Sequence, residues 1–328
     1  MMASGSVSKV MSNYELWALL DATGFAISRL RQLELAQLHL TLEQAALLRL
    51  IQRAGRGTTV KVIKDATLRQ QHTISMLVNR MVRMGLVTKG RRQGEREARI
   101  LLTQSGRDLL TRVPTASLDA VFAVIAPKEK QPFACALRSL HEKARSLLVP
   151  DTPPFLRLIR NDVSAETQEQ GSRGGGQFSS YRLWSSLDAT RFAISRLREL
   201  ELARFGLTVE QSSVLRVLND RGTPVKARDL ENATLRQHHS ISALVNRMTR
   251  GNLVAKEIRR GEKSHRILIT DRGRSLLNEI TIAAVDVTFG VLSDREKQRL
   301  AACLHSLYAT ARNLLGVPTF ARSKTASC

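Results

Sequence analysis

The side chains best suited to chemistry come in two matching sets. Gln71, His72, Thr73, Ser75, Asn79 and Arg80 recur 167 residues later as His238, His239, Ser240, Ser242, Asn246 and Arg247. Asparagine, glutamine and arginine can each bond two edge atoms of a base, while hydroxyls and backbone amides near a helix start suit phosphate oxygens, and Arg69 and Arg236 complete the two DNA-binding sets. Each set is followed by a basic cluster, Arg91, Arg92, Arg96 and Arg99 in one case and Arg259, Arg260, Lys263 and Arg266 in the other. A charge cluster is often only a solvated face. Its return in the same loop of a repeated sequence favours phosphate contact. His72 and His239 have a plainer reading as helix-start residues bonded to nearby backbone.

Other chemistries lack their residues. No nucleophile elbow, repeated inward carboxylate pair or metal-ligand cluster occurs, so an enzyme is not expected. The adjacent His238 and His239 diverge on a helix, which argues against zinc, and no cofactor is expected. Gly174-Gly175-Gly176 lacks the Lys-Ser/Thr that follows a phosphate loop. Cys135, Cys303 and Cys328 form no Cys-x-x-Cys pair. The first two read as inert thiols buried among apolar neighbours on a late helix.

Composition agrees. The 328 residues carry 51 Lys and Arg against 29 Asp and Glu, a net charge of +22, and 43% are apolar. Such a surplus attracts polyanions, nucleic acid first and membrane surfaces second. No run is long enough for a membrane helix and the first thirteen residues lack a signal-peptide core, which reads as cytoplasmic.

The offset of 167 holds without a net gap from Tyr14/Tyr181 to Leu148/Leu315, a tandem duplication. Sixteen of twenty-one residues match between 14 and 34 and thirteen of sixteen between Ala66 and Met81, but only nineteen of forty-six over Gln104–Val149. The last stretch keeps packing more than chemistry. The expected organisation is a tail (1–13), a first domain (14–149), a Pro- and Gly-containing linker (150–180), a second domain (181–317) and a tail (318–328).

Apolar spacing predicts how each copy positions its polar set. Leu16, Leu20, Thr23, Ile27, Leu30 and Leu33 stripe a helix from about Tyr14 to Gln37. Thr41-Leu42-Glu43-Gln44 and Thr208-Val209-Glu210-Gln211 are capping boxes that open a second helix, which ends near Gly55 or Gly222. A short third helix spans about Val62–Thr67. A fourth, about Gln70–Met84, packs through Ile74, Leu77, Val78 and Met81 and turns its polar set outward. Leu86-Val87 and Arg99–Leu102 flank a charged hairpin tip. Thr103 or Thr270 caps a fifth helix, and Pro127 or Ser293 opens a sixth. The fold class is mainly α with small β-hairpins.

A short helix, a turn, a polar-faced helix and a basic hairpin are the parts of a winged helix-turn-helix. The run Leu68-Arg69-Gln70-Gln71-His72-Thr73-Ile74-Ser75, with Leu77-Val78-Asn79-Arg80-Met81, Gly85-Leu86-Val87 and Leu102-Thr103-x-x-Gly106, resembles the MarR (multiple antibiotic resistance regulator) family. The second copy repeats it with Leu235-Arg236-Gln237-x-His239-Ser240-Ile241-Ser242, Leu244-Val245-Asn246-Arg247-Met248, Leu253-Val254 and Thr270-x-x-Gly273. The resemblance covers about 135 residues of each copy. It implies a transcription regulator that works as a dimer, with the first, fifth and sixth helices at the interface, the fourth in the major groove and Arg96 or Lys263 at the wing tip. Where the family has an Asp before the wing Arg, this chain has Gly94-Glu95 and Gly261-Glu262.

Two copies in one chain could supply both halves of such a dimer. The expected protein is an intramolecular pseudo-dimer, a repressor that reads an imperfect palindrome of double-stranded DNA in the bacterial nucleoid. A small-molecule effector could relieve it, with Trp17, Asp21, Trp184 and Asp188 lining the cleft. Aromatics at helical spacing are otherwise core. The competing function is a nucleoid-associated protein that uses the same charges with little sequence preference.

Overall fold

A computed structural model describes residues 11–55, 57–91, 97–148, 179–234, 238–258 and 265–316. The first repeat runs α1 (Asn13–Ala36), α2 (Leu42–Arg53), α3 (Val60–Thr67), α4 (Gln71–Arg83), β1 (Val87–Gly90), β2 (Arg99–Leu102), α5 (Gln104–Thr111), α6 (Ala116–Phe122) and α7 (Pro127–Leu148). The second runs α8 (Ser180–Ala203), α9 (Val209–Arg221), β3 (Val225–Lys226), α10 (Ala227–Thr234), α11 (His238–Arg250), β4 (Val254–Glu257), β5 (Arg266–Ile269), α12 (Asp271–Glu279), α13 (Ala283–Phe289) and α14 (Asp294–Leu314). The chain is mainly helical with small antiparallel strand pairs.

Local chemistry sets the boundaries. Thr41 Oγ1 accepts from the Gln44 amide at 3.2 Å while Gln44 Oε1 accepts from the Thr41 amide at 2.9 Å, and Thr208 with Gln211 repeats both bonds at the same distances. These satisfy amides that the first helical turn leaves without partners. Gly222 ends α9 at φ +62°, a left-handed conformation that glycine adopts without steric cost. Ser293 and Glu296 form a third capping box that opens α14.

One close approach fixes the Leu-Thr-x-x-Gly motif. Thr103 Oγ1 caps α5 by accepting from the Gly106 amide at 3.0 Å and donates to the Gly85 carbonyl at 2.6 Å, just beyond the end of α4. A Cβ on Gly106 would stand 2.1 Å from the Leu86 carbonyl oxygen, and one on Gly273 would stand 2.1 Å from that of Leu253. Only glycine lets α5 and α12 lie so close to the turn that follows α4 or α11 and leads into the hairpin.

Each repeat has two helices where the sequence predicts one after the fifth. The additional α6 and α13 are seven residues long. Neither is announced locally, because neither has a side-chain cap of its own. Instead Glu34 of α1 accepts from the Ser117 amide at 3.1 Å and from the Ser117 hydroxyl, and Glu201 of α8 accepts from the Ala284 amide at 3.3 Å. Both glutamates are held by buried arginines: Arg31 binds Glu34 and the Pro114 carbonyl, and Arg198 binds Glu201 and the Thr281 carbonyl. A buried cation is tolerated where such partners replace its water.

The strands pair as two hairpins, Val87↔Leu102 to Gly90↔Arg99 and Val254↔Ile269 to Glu257↔Arg266. In the second repeat β3 adds through Val225↔Ile267, giving the order β3-β5-β4. The matching place in the first repeat is a single bridge, Thr58↔Ile100.

Packing divides the chain into two compact units that cut across the repeats. Among the described residues, one joins 11–26 and 128–148 to those from 186 to 316; the other holds those of 27–127 and 179–185. The second unit has a core of Leu35, Leu48, Ile51, Ile63, Ile74, Val78, Met81 and Ile100. In the first, Leu202, Leu215, Leu230, Ile241, Val245, Met248 and Ile267 play the same part. Each core takes in the apolar face of α4 or α11.

Candidate nucleic-acid interface

In α4 the residues Ile74, Val78 and Met81 are buried and Leu77 is partly so, which anchors one face in the core. Gln71, His72, Thr73, Asn79 and Arg80 are exposed on the remainder, and Ser75 is half-buried. The turn before this helix passes through Leu68 in the left-handed region at φ +56°, uncommon for a bulky side chain. Arg69, half-buried beside that turn, approaches Glu43 at 3.9 Å. His72 and Thr73 lie within hydrogen-bond reach through Nε2 and Oγ1 at 3.3 Å.

The equivalent helix of the second repeat, α11, buries Ile241, Leu244, Val245 and Met248. It exposes His239, Asn246 and Arg247 and leaves Ser240 and Ser242 half-buried. Arg236 and the side chain of His238 lie outside the described residues. Neither α4 nor α11 contains an Asp or Glu. No carboxylate of the helix itself would oppose a phosphate, and both end in arginines.

The wings are described only at their bases. Arg91 is exposed, and Arg99 on β2 and Arg266 on β5 are half-buried. Arg92, Arg96, Arg259, Arg260 and Lys263 lie outside the described residues.

Two lysines that the sequence reading passed over join helix to wing. Lys89 of β1 donates through Nζ to Asn79 Oδ1, and Lys256 of β4 donates to Asn246 Oδ1. The two bonds are equivalent under the 167-residue offset, which was their signal in the sequence. Each holds the asparagine carboxamide in one orientation and places an ammonium at the seam between helix and hairpin.

In the second repeat that seam widens into a cleft of about 610 Å³, bordered by Lys226, Arg228, Lys256 and His265 together with Glu231 and Ser242. Lys226 and Arg228 were also missed, because they stand ahead of the motif. Four basic side chains around one cleft suit an anion such as a backbone phosphate.

The other candidate residues sit elsewhere. Trp17 and Trp184 are buried, at 4% and 6% exposure. Asp21 and Asp188 both bind Arg191, at 3.3 and 3.2 Å. Cys303 is buried and its thiol is pushed up by desolvation and by Glu129 against the pull of Arg299. Cys135 departs from the sequence expectation and is exposed, because at its place on α7 the buried positions are Ala134, Ala136 and Leu137. Among the described residues no group of three or more His, Cys, Asp or Glu could hold a metal ion, and no helix is long and apolar enough to cross a membrane.

The family comparison falls on the same elements. A MarR family model matches residues 39–97 and again 205–266, each stretch running from before α2 or α9 through the reading helix and into the wing. The chain carries two MarR-like regions. Among solved structures, the organohalide-sensing transcriptional regulator RdhR in its ligand-free form is 21% identical, with a TM-score of 0.42 over 48% of this chain and 97% of its own. AbsC, a MarR family transcriptional regulator from Streptomyces coelicolor, is 22% identical, with a TM-score of 0.38 over 44% of this chain and 99% of its own. MepR, a transcription regulator of a Staphylococcus aureus multidrug efflux pump, is 19% identical, with a TM-score of 0.32 over 40% and 98%. No curated protein sequence matches the chain. DNA-binding transcription regulation is the function that the two MarR-like regions support.

Proposed function

We propose that the chain is a sequence-specific regulator, a repressor in the nucleoid, that binds double-stranded DNA with α4 and α11 in successive major grooves and its basic wings on the flanking DNA. The observation that carries this reading is the repeated constellation itself. Two helices free of acidic residues each present an exposed Asn-Arg pair, Asn79-Arg80 and Asn246-Arg247, with the asparagine held by a wing lysine. Nonspecific attraction needs only charge; an oriented carboxamide suits the edge of an adenine.

The two repeats supply the two halves that a DNA-binding dimer requires. Reciprocal contacts support this pairing. Arg216 of the second repeat stacks over the Tyr14 ring at 3.7 Å, and Arg49 of the first stacks over the Tyr181 ring at 3.9 Å. Tyr14 and Tyr181 are equivalent, as are Arg49 and Arg216. The reading faces differ at Gln71/His238 and Met76/Ala243, so the preferred site is an imperfect palindrome. A small-molecule effector, acting near Trp17, Asp21, Trp184 and Asp188, completes the proposal. A ligand that binds one state better than the other shifts affinity for DNA.

Selection of bound sequences from a random pool, followed by competition with random DNA, tests the reading. A specific site should outcompete random DNA by about 10³-fold or more. Equal competition would instead support a nucleoid-associated protein driven by the +22 charge.

A further inference from the structure

Helix α1 and helix α8 meet around a single arginine. Arg191 of α8 binds Asp188 on its own helix at 3.2 Å and Asp21 on α1 at 3.3 Å. Asp21 and Asp188 are equivalent positions in the two repeats, so one guanidinium serves both. The position equivalent to Arg191 is Gly24. A Cβ there would lie 2.4 Å from Arg191 Cδ and 3.1 Å from Leu187 Cδ2, so the arginine stem occupies space that only glycine leaves open. Glycine inside a helix costs roughly 1 kcal/mol relative to alanine, and here the cost has a visible purpose.

The surroundings follow a two-fold pattern. The Thr23 hydroxyl donates to the Leu304 carbonyl at 3.3 Å, and the Thr190 hydroxyl donates to the Leu137 carbonyl at 3.0 Å. Each of these bonds is the image of the other under the 167-residue offset. In such an isologous contact, positions near the axis meet their own images. Two copies of the first repeat would bring together two Asp21 carboxylates and two Gly24, with no cation between them. Two copies of the second would press two Arg191 side chains into one space, with no glycine to admit either.

Two further contacts share this one-sidedness. Arg299 binds Glu129 at 3.3 Å, but the image positions are Pro132 and Glu296, and proline has no cation to offer. Glu296 is meanwhile held in the capping box of α14, where its hydrogen bonds to Ser293 keep its carboxyl below the ordinary range. Asn13 donates to Asp286 at 3.0 Å, whereas the image positions are Ser180 and Asp119, and Asp119 accepts from Thr115 at 2.8 Å.

We infer that these differences form a key that makes repeat one pair with repeat two and rejects the pairing of either repeat with its own kind. The inference rests on the reading that the repeats act as a pair. The fusion has then done more than tether two interchangeable halves, because each half now lacks part of what a homodimer would need. Burial works to deprotonate the Arg191 guanidinium, but Asp188 and Asp21 outweigh it and hold its pKa above the ordinary value. The cation therefore persists at all working pH.

The test is a swap in the full chain, comparing G24R, R191G and G24R/R191G by thermal unfolding. G24R should crowd two guanidiniums, R191G should leave two facing carboxylates, and each should lower the midpoint by about 3 °C or more. The double variant moves the arginine to the other helix and should recover most of the loss. Losses that merely add in the double variant, or single variants that match the parent, would overturn the key. If G24R fails to fold, R191M gives an independent reading. Its deficit relative to the parent should shrink when Asp21→Asn removes one of the two facing carboxylates, and a deficit that Asp21→Asn leaves unchanged would count against the key. Unfolding does not depend on DNA, so rescue in a chain that ignores DNA would uphold the key while sinking the proposed function.

Discussion

Asn79 and Arg80 are neighbours on α4, yet their expected contributions to binding differ in kind. A carboxamide that bonds two atoms of one base edge discriminates by roughly 1–3 kcal/mol per base, whereas an arginine on a phosphate adds affinity on any sequence. Asn79→Ala with Asn246→Ala should therefore flatten the base preference at one position in each half-site, seen by repeating the sequence selection. Arg80→Ala with Arg247→Ala should weaken specific and random DNA alike and reduce the salt slope by about 0.9 for each phosphate no longer neutralised. If every substitution lowered specific and random binding equally, base readout would be rejected. A different residue governs the response to acid. His141 on α7 is half-buried, and desolvation with help from Arg145 lowers its pKa from 6.5 to about 4 against the opposing hydrogen bond with the Ala189 backbone. The unfolded chain binds this proton more tightly, so His141 contributes stability above pH about 6.5 that is lost as pH falls toward about 4. The loss amounts to about 3 kcal/mol, and His141→Gln should flatten that part of the stability profile in urea titrations across this range.

Elements were legible in the sequence wherever their determinants lay within one turn. Thr41, Thr103, Thr208 and Thr270 cap with residues three positions on, and the apolar positions of α4 repeat at three and four, so their helices were readable. The helices α6 and α13 were not, because their starts are capped by glutamates more than eighty residues away in sequence. The same limit hid part of the proposed interface. Gln71, Asn79 and Arg80 belong to one helix and were found by type and spacing, but Lys89 and Lys256 act by reaching from a strand to an asparagine ten residues back. Identity at the repeat offset could have revealed them. The motif glycines carry an element-scale prediction. Gly106→Ala and Gly273→Ala each force a methyl against a backbone oxygen that has no rotamer to retreat into. Overpacking of this kind costs typically 1–3 kcal/mol. Because the strain falls where the reading helix turns into the wing, DNA affinity should drop along with the unfolding midpoint. A variant whose stability fell while its folded fraction bound DNA at full affinity would show that α5 and α12 support the fold without positioning the wing.

At the scale of the whole molecule the question is whether two reading helices act on one duplex or as two separate sites on one chain. Tethered modules that engage together gain from a high effective concentration, so overall affinity can exceed either module's by about 10² to 10⁴. Separate modules gain only a doubling of sites. The duplication makes the distinction measurable, since each helix can be disabled alone. The pair Asn79→Ala and Arg80→Ala silences the first repeat, Asn246→Ala and Arg247→Ala the second, and none of the four residues belongs to either hydrophobic core. Joint engagement predicts that either pair lowers affinity for the selected site by about 10²-fold or more, and that combining them adds little beyond the residual nonspecific binding. Independent engagement predicts about a twofold loss from either pair and near-complete loss only from both. Measuring the three variants at one salt concentration, on a duplex holding one selected site, separates these outcomes. The salt slope then reports how many phosphates each repeat holds. A parental slope close to the sum of the two half-silenced slopes places both wings on the same duplex, and a parental slope no steeper than either would leave one repeat free for a second DNA.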